Sequence, residues 1–324
     1  MMSSIVMIEE EYPGPRLIET SAPCPPLARL PKLPVRVLVL SYDESEGGER
    51  RGLAVPLARL ADELGVGEGV QVSERVIRDW DSLTTGDEAC RYDGVFLVAP
   101  SLPGAYDDPN EPSDELVDAL SSLLADSETR FLVLQPSKSD LDTPDRRDAL
   151  CLRLAERGSP PAVVVPADWS APESERFSAL LFERLLHDSP LARAVSDAGG
   201  GLQPPATIYQ PPGRRHGLDL GRLLEDHRRR IEEGGSALRM FVRELEAVRP
   251  REGEPEGSWS QTADRASKAQ HDLEQIKAAV EEINRDRDPA GWSRLAESIA
   301  RHQRWEDELD SARHALEATR EAAV

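Results

Sequence analysis

The residues of this 324-residue chain best suited to nucleophilic or metal chemistry are three cysteines and six histidines. Cys24, Cys90 and Cys151 form no CxxC pair and have no His pair beside them, so the usual zinc and disulfide spacings are absent. An odd set of well-separated thiols fits a reducing compartment. No histidine stands at the end of a strand-like run. His187 is late in a helical stretch, His216 lies in a linker, and His227, His271, His302 and His314 belong to the helical C-terminal third. Ser137, with Lys138 and Ser139 beside it, suggests a Ser–Lys nucleophile pair, but adjacent residues of an extended loop point apart. Asp107, Asp108, Asp114 and Glu115 carry charge for a divalent cation at a spacing that matches no cation-binding loop. Gly47 and Gly48 follow a strand without the dinucleotide or P-loop pattern. Arg228, Arg229 and Arg230 stand beside Glu232 and Glu233, which reads as a solvated helix face rather than a phosphate site. No metal and no cofactor is expected.

Composition narrows the partners. The formal net charge is −21, and phosphate backbones are bound through an excess of Lys and Arg, so nucleic acid is not expected as a ligand. Anionic membrane surfaces are disfavoured on the same ground. No apolar run approaches the ~18 residues of a membrane span, and Glu9, Glu10 and Glu11 stand where a signal peptide would be basic and then apolar. A cytoplasmic protein is expected, with room in its length for about two domains.

The elements that must position any site alternate between strand and helix. Residues 1–34 are rich in proline and read as an extended lead-in. Val35 to Leu40 is an apolar strand, Leu53 to Leu64 a helix that tolerates Pro56 only in its first turn, and Val70 to Ile77 a second strand. Val95 to Ala99, Arg130 to Gln135 and Ala162 to Val165 are further buried strands, and Thr207 to Gln210 is expected at the sheet's edge. Helices are expected over Leu116–Leu124, Arg146–Arg157 and the stretch holding Phe177, Leu180, Leu181, Leu185 and Leu186, with Asp168 or Ser170 as cap. After Pro190 a shorter helix follows. The acidic segment Ser101 to Asp114 reads as a loop able to act as a flap. Strand–helix alternation implies a sheet covered by helices on both faces.

Beyond Gly217 the chain changes to long helices alone. Leu220, Leu224, His227 and Ile231 form one stripe, and Leu238, Phe241, Val242, Leu245 and Val248 another, with a kink expected at Gly234-Gly235. Heptad rows follow: Trp259, Ala266, Leu273 and Val280 in one, Thr262, Ala269, Ile276 and Ile283 in the other. After Asp288-Pro289 a last helix runs through Trp292, Leu295, Ile299, Trp305, Leu309, Ala312 and Leu316. This is an antiparallel hairpin that the preceding helix can complete into a three-helix bundle. The expected divisions are 1–34, 35–212 and 213–324.

Three segments, RYDGVFLVAPS at 91–101, FLVLQPSKS at 131–139 and AVVVPADWSAPESERFSALLFERLLHDSPLARAVSDA at 162–198, resemble the CHAT domain family, whose caspase-like fold is related to separase and gingipain. The resemblance spans residues 35–210, about half the chain, and implies a three-layer α/β sandwich with a mostly parallel sheet. In the family a catalytic His ends the third strand and a catalytic Cys follows the fourth. This chain carries Pro100 and Ser137 at those positions, and Ala99 and Ser101 where the family has the glycines of its GHG motif. Proline cannot take a proton, and a serine hydroxyl without a base is a poor nucleophile.

The expectation is therefore a catalytically degenerate pseudo-peptidase acting as scaffold, adaptor or regulatory subunit in a bacterial conflict or signalling system. Its partner would be a protein, an active CHAT peptidase among the candidates, and the tail could also form a homodimer as a coiled coil. Contact residues would be Trp259, Leu273, Ile276, Val280, Trp292, Trp305 and Leu309. The alternatives are a hydrolase using Ser137 and a small-molecule sensor binding under the 101–114 segment.

Overall fold

Residues 15–20, 33–42, 53–77, 91–98, 106–108, 111–126, 129–135, 144–211, 218–249, 257–286 and 288–322 are described by a computed structural model. They fall into two units, Met1–Asp219 and Leu220–Val324.

The first unit carries β1 (Arg16–Glu19), β2 (Val35–Tyr42), β3 (Val70–Ile77), β4 (Gly94–Val98), β7 (Phe131–Gln135), β8 (Ala162–Val164) and β9 (Thr207–Gln210) in one sheet ordered β1-β9-β8-β7-β4-β2-β3. From β3 to β8 all neighbours are parallel, whereas β9 runs antiparallel to β8 and β1 parallel to β9. The helices are α1 (Ala54–Glu63), α2 (Asp114–Asp126), α3 (Pro144–Glu156), α4 (Ala171–Leu186) and α5 (Leu191–Gly199). Parallel neighbours need crossovers, and helices supply them, so both faces of the sheet are covered. Strand period does the sorting. Leu38, Leu40, Val95, Leu97, Leu132 and Leu134 share one buried cluster with Leu116, Leu120 and Leu124 of α2 and Leu150 and Leu154 of α3. The intervening residues Val37, Val39, Phe96, Phe131 and Val133 are buried too, which makes each central strand a continuous apolar run.

Local signals place the helix ends. Ser170 and Glu173 form a capping box, each side chain bonding the other's backbone N–H, so Ser170 and not Asp168 begins α4. Pro56 falls in the first turn of α1, where its missing N–H costs nothing. Gly94 serves close approach: the Phe131 ring lies where its β-carbon would stand, and Phe131 meets Phe96 edge to face at 6.0 Å.

Three expectations are corrected here. The lead-in is not all outside the sheet, because Arg16–Glu19 adds to it as β1. Thr207–Gln210 is therefore not an edge strand but lies between β8 and β1. The acidic 101–114 segment is not all loop: β5 (Tyr106–Asp108) and β6 (Glu111–Pro112) pair antiparallel.

The second unit consists of α6 (Leu220–Ala247), α7 (Gly257–Asp286) and α8 (Gly291–Ala322), each packed on the other two. Its centre is formed by Leu224, Ile231, Leu238, Phe241 and Leu245 of α6, Ala266, Leu273, Ile276, Val280 and Ile283 of α7, and Trp292, Leu295, Trp305, Leu309 and Leu316 of α8. At the α7–α8 turn Asp288 accepts the Gly291 N–H through Oδ1 at 3.0 Å. The kink expected at Gly234-Gly235 does not end the helix: α6 runs on through both glycines. Gly234 lies against α8 instead, where a β-carbon would come within 2.8 Å of the Trp305 ring. Among the described residues no helix is long and apolar enough to cross a membrane.

Candidate functional site

In an open parallel sheet, ligands and reacting groups gather beyond the carboxyl ends of the strands. Here β4 and β7 are adjacent and parallel, and their last residues, Val98 and Gln135, are register partners. Pro100 and Ser137 each stand two positions further on in sequence, and both lie outside the described residues. So do Cys24, Cys90, His216, Gly47 and Gly48.

The described floor of this edge is a buried polar brace. Gln135 donates through Nε2 to the Ser174 carbonyl at 3.3 Å and to the Ser178 hydroxyl, both on α4. Arg147, in the first turns of α3, is buried and donates to the carbonyl of Val165, just past β8. Gln135 and Arg147 thus fix the ends of β7 and β8 to the helices that cover them. Trp169 continues the edge, stacking edge-on to Phe177 at 5.1 Å and donating its indole N–H to the Pro204 carbonyl at 3.0 Å. On the other side Ser41 donates to Glu74 at 2.7 Å across β2 and β3.

No described group here has the make-up of a peptidase pair. Cys151 is buried in α3, and burial with Asp148 beside it pushes its thiol well above the usual range, away from the reactive thiolate. Burial first, then Asp148, holds the Tyr209 phenol protonated as well. His187 caps the C-terminus of α4. Asp114 and Glu115 fall in the first turn of α2, where carboxylates offset the helix dipole, and Asp114 pairs with Arg153. Among the described residues no group of three or more His, Cys, Asp or Glu could hold a metal ion.

The opposite, amino edge holds a buried charge cluster. Arg130, buried, meets Asp219 at 2.7 Å and Asp93 at 3.7 Å, and Asp93 accepts the Arg36 N–H at 2.9 Å. Burial outweighs these partners and raises the Asp93 carboxyl to about 6. These bonds tie the starts of β2, β4 and β7 to the end of the unit and are structural.

In the helical unit the structure turns six of the seven candidate contact residues into the interior. Leu273, Ile276, Val280, Trp292, Trp305 and Leu309 are all buried between α6, α7 and α8, so in this packing none of the six is offered to a partner. Trp259 is half-buried, gives its indole N–H to the Leu245 carbonyl at 3.0 Å, and lies under the Arg249 guanidinium. Arg228, Arg229 and Arg230 pair with Glu281, Glu233 and Asp226 around the outside, as a solvated face does.

One polar cluster in this interior escapes the reading by residue type. His227 of α6 reaches Ser298 of α8 at 3.1 Å, its ring lies 5.4 Å from that of His302, and His302 stacks on Trp305. The available signals were His227 inside the stripe of Leu224 and Ile231, and His302 one turn before Trp305.

Compared with protein-family models and with curated proteins, the chain finds no match.

Proposed function

We propose that this chain is a catalytically inactive CHAT-like protein with a caspase-like first unit, working as scaffold, adaptor or regulatory subunit through protein contacts made by its helical unit. The observation that carries the reading is the register match of Val98 with Gln135 on adjacent parallel strands. In the family that the sequence resembles, the His and the Cys follow the ends of the third and fourth strands, and the corresponding positions of this sequence hold Pro100 and Ser137. The arrangement suits the family's dyad while the residues lack its chemistry. The mostly parallel sheet between two helical layers supports the same reading, and so does the protonated, inaccessible Cys151 thiol.

Partner contacts in this reading fall on the outside of the three-helix unit, because the heptad seam is filled by the chain's own helices. The setting is a bacterial conflict or signalling system, and the partner is another protein of that system, for which an active CHAT peptidase is the leading candidate. The test compares the purified full chain with one ending at Asp219. Direct binding of a purified candidate partner by the full chain, lost on truncation, is the expected result. Cleavage of that partner by the full chain, abolished by Ser137→Ala, would replace the adaptor by a serine hydrolase.

A further inference from the structure

We infer that α6 is a releasable cover on the α7–α8 hairpin, and that protonation of His227 and His302, which meet beneath it, is what releases it. This goes beyond the adaptor reading and does not depend on it.

The geometry has three parts. First, the two imidazoles are only 3% exposed, stand on different helices, and face each other with centroids 5.4 Å apart at 71°. Second, their hydrogen-bonding capacity is already limited. His227 shares one bond with the Ser298 hydroxyl, and His302 Nε2 is buried with no hydrogen-bond partner, 3.2 Å from where a β-carbon of Gly234 would lie. An imidazolium needs acceptors for two N–H groups, and a buried charge needs a counter-ion as well. Third, α6 passes this level on Gly234 and Gly235, close to Trp305 and Leu273 respectively, with no side chain of its own to hold it there.

The surrounding charges do not compensate. On α6, Asp226 favours a charged His227, but its carboxylate already pairs with Arg229 and Arg230, and Arg230 opposes a charge on either ring. On α8, Glu306 favours a charged His302. No charged group of α7 acts on either ring; near this level α7 offers the Ala269 carbonyl, taken by the Trp305 indole N–H at 2.7 Å, and the apolar Leu273 beside Gly235. His302 also opposes a charge on His227 across 5.4 Å. Burial dominates for both, holding His227 down near 4 and His302 below its usual value.

Opening exposes the imidazoles to water, where they titrate near about 6.5. Below that pH each histidine favours the open form by about tenfold per pH unit until its folded value is reached. Release of α6 would uncover Leu273 and Trp305, two of the apolar anchors that the heptad pattern suggests for partner contact.

The test is amide hydrogen exchange on the full chain at pH 7.5 and 5.0, with protection corrected for the intrinsic pH dependence of exchange. In the wild type the protection of residues 220–247 is expected to fall by about thirtyfold from His227, whose folded value lies near 4, and further from His302, which is also lowered, with α7 and α8 falling less. His302→Phe keeps an aromatic ring against Trp305 and should remove one histidine's share, and adding His227→Gln should remove the remainder. An unchanged α6 in the wild type overturns the proposal, and so does an equal fall in the double variant. Should His302→Phe fail to fold, an NMR titration of the wild-type imidazoles decides: folded-state titration near 6.5 for both rings overturns it.

Discussion

The ring of Trp305 occupies the space that a side chain at Gly234 would need: a β-carbon there would come within 2.8 Å of the indole Cζ3, whereas one at the next residue, Gly235, would meet Leu273 Cδ2 at an ordinary 3.5 Å. Two neighbouring glycines in one helix should therefore respond in opposite directions to the same change. Gly235→Ala gains helix propensity and is expected to stabilise the helical unit by up to about 1 kcal/mol. Gly234→Ala gains the same propensity but forces Trp305 off its place, for a net loss of about 1–3 kcal/mol. Thermal or urea unfolding followed by far-UV circular dichroism separates the two, and equal shifts in the two variants would refute the close-packing argument.

The sheet contains a parallel case in Gly94, over which the Phe131 ring of the neighbouring strand lies. Gly94→Ala is expected to destabilise the first unit by about 2 kcal/mol or more, since the ring is fully buried and also packs edge-on to Phe96. Phe131→Leu alone leaves a cavity and costs stability too. Combined with Gly94→Ala it should cost less than the sum of the two single changes, because the smaller side chain leaves room for the new methyl. Additive losses in denaturant unfolding would show that the glycine serves something other than this contact.

What could be read ahead from the sequence was what is local. Val35–Leu40, Val70–Ile77 and Phe131–Gln135 announce strands by their own apolar and β-branched residues, and Ser170 with Glu173 announces a helix start within four positions. Arg16–Glu19 gave no such notice. Four residues beside prolines become a strand only because β9, distant in the chain, presents a free edge to them. The glycine pair in α6 shows the same limit from the other side. Gly-Gly suggests a bend when seen alone, and only the fold shows that the helix runs on through both and that the Trp305 ring of another helix lies against Gly234. The heptad rows were legible as apolar, but a periodic stripe does not say whether a foreign helix or the chain's own third helix covers it. For the stretches that follow β4 and β7 in sequence, the legible part was chemical: a proline and a serine without a base cannot do the work of a His–Cys pair.

Asp93 makes the first unit sensitive to pH in a definite direction. Its carboxyl is raised by burial from 3.8 to about 6, so the neutral form is the one the fold prefers. The stability it contributes is fully present below about 3.8 and is lost as pH rises through about 6. Asp93→Asn retains an oxygen to accept the Arg36 N–H without the buried charge. Relative to wild type, this variant is expected to gain stability between pH 4 and 7, with the gain flattening above. Urea unfolding across that range measures it. A gain that is the same at every pH would assign the effect to packing, and a loss that grows with pH would assign net worth to the Arg130 pairing instead.

The last prediction concerns the seam. Leu273, Ile276, Val280 and Leu309 are interior residues of the helical unit, so truncating any of them should act first on folding. Leu273→Ala or Leu309→Ala is expected to cost about 2–5 kcal/mol, and Trp305→Ala about 3–5 kcal/mol with the added loss of the hydrogen bond to the Ala269 carbonyl. If partners bind the outside of the bundle, affinity should survive in each variant at temperatures where circular dichroism shows it folded, and should fall with the melting transition. Arg228→Glu, on the outer face and paired to Glu281 at 3.0 Å, should do the reverse: little change in unfolding, since surface pairs are worth about 0–1 kcal/mol, and altered binding where the partner meets that face. A seam variant that stays folded yet loses its partner would place the partner against the opened seam, which is the state that release of α6 would create.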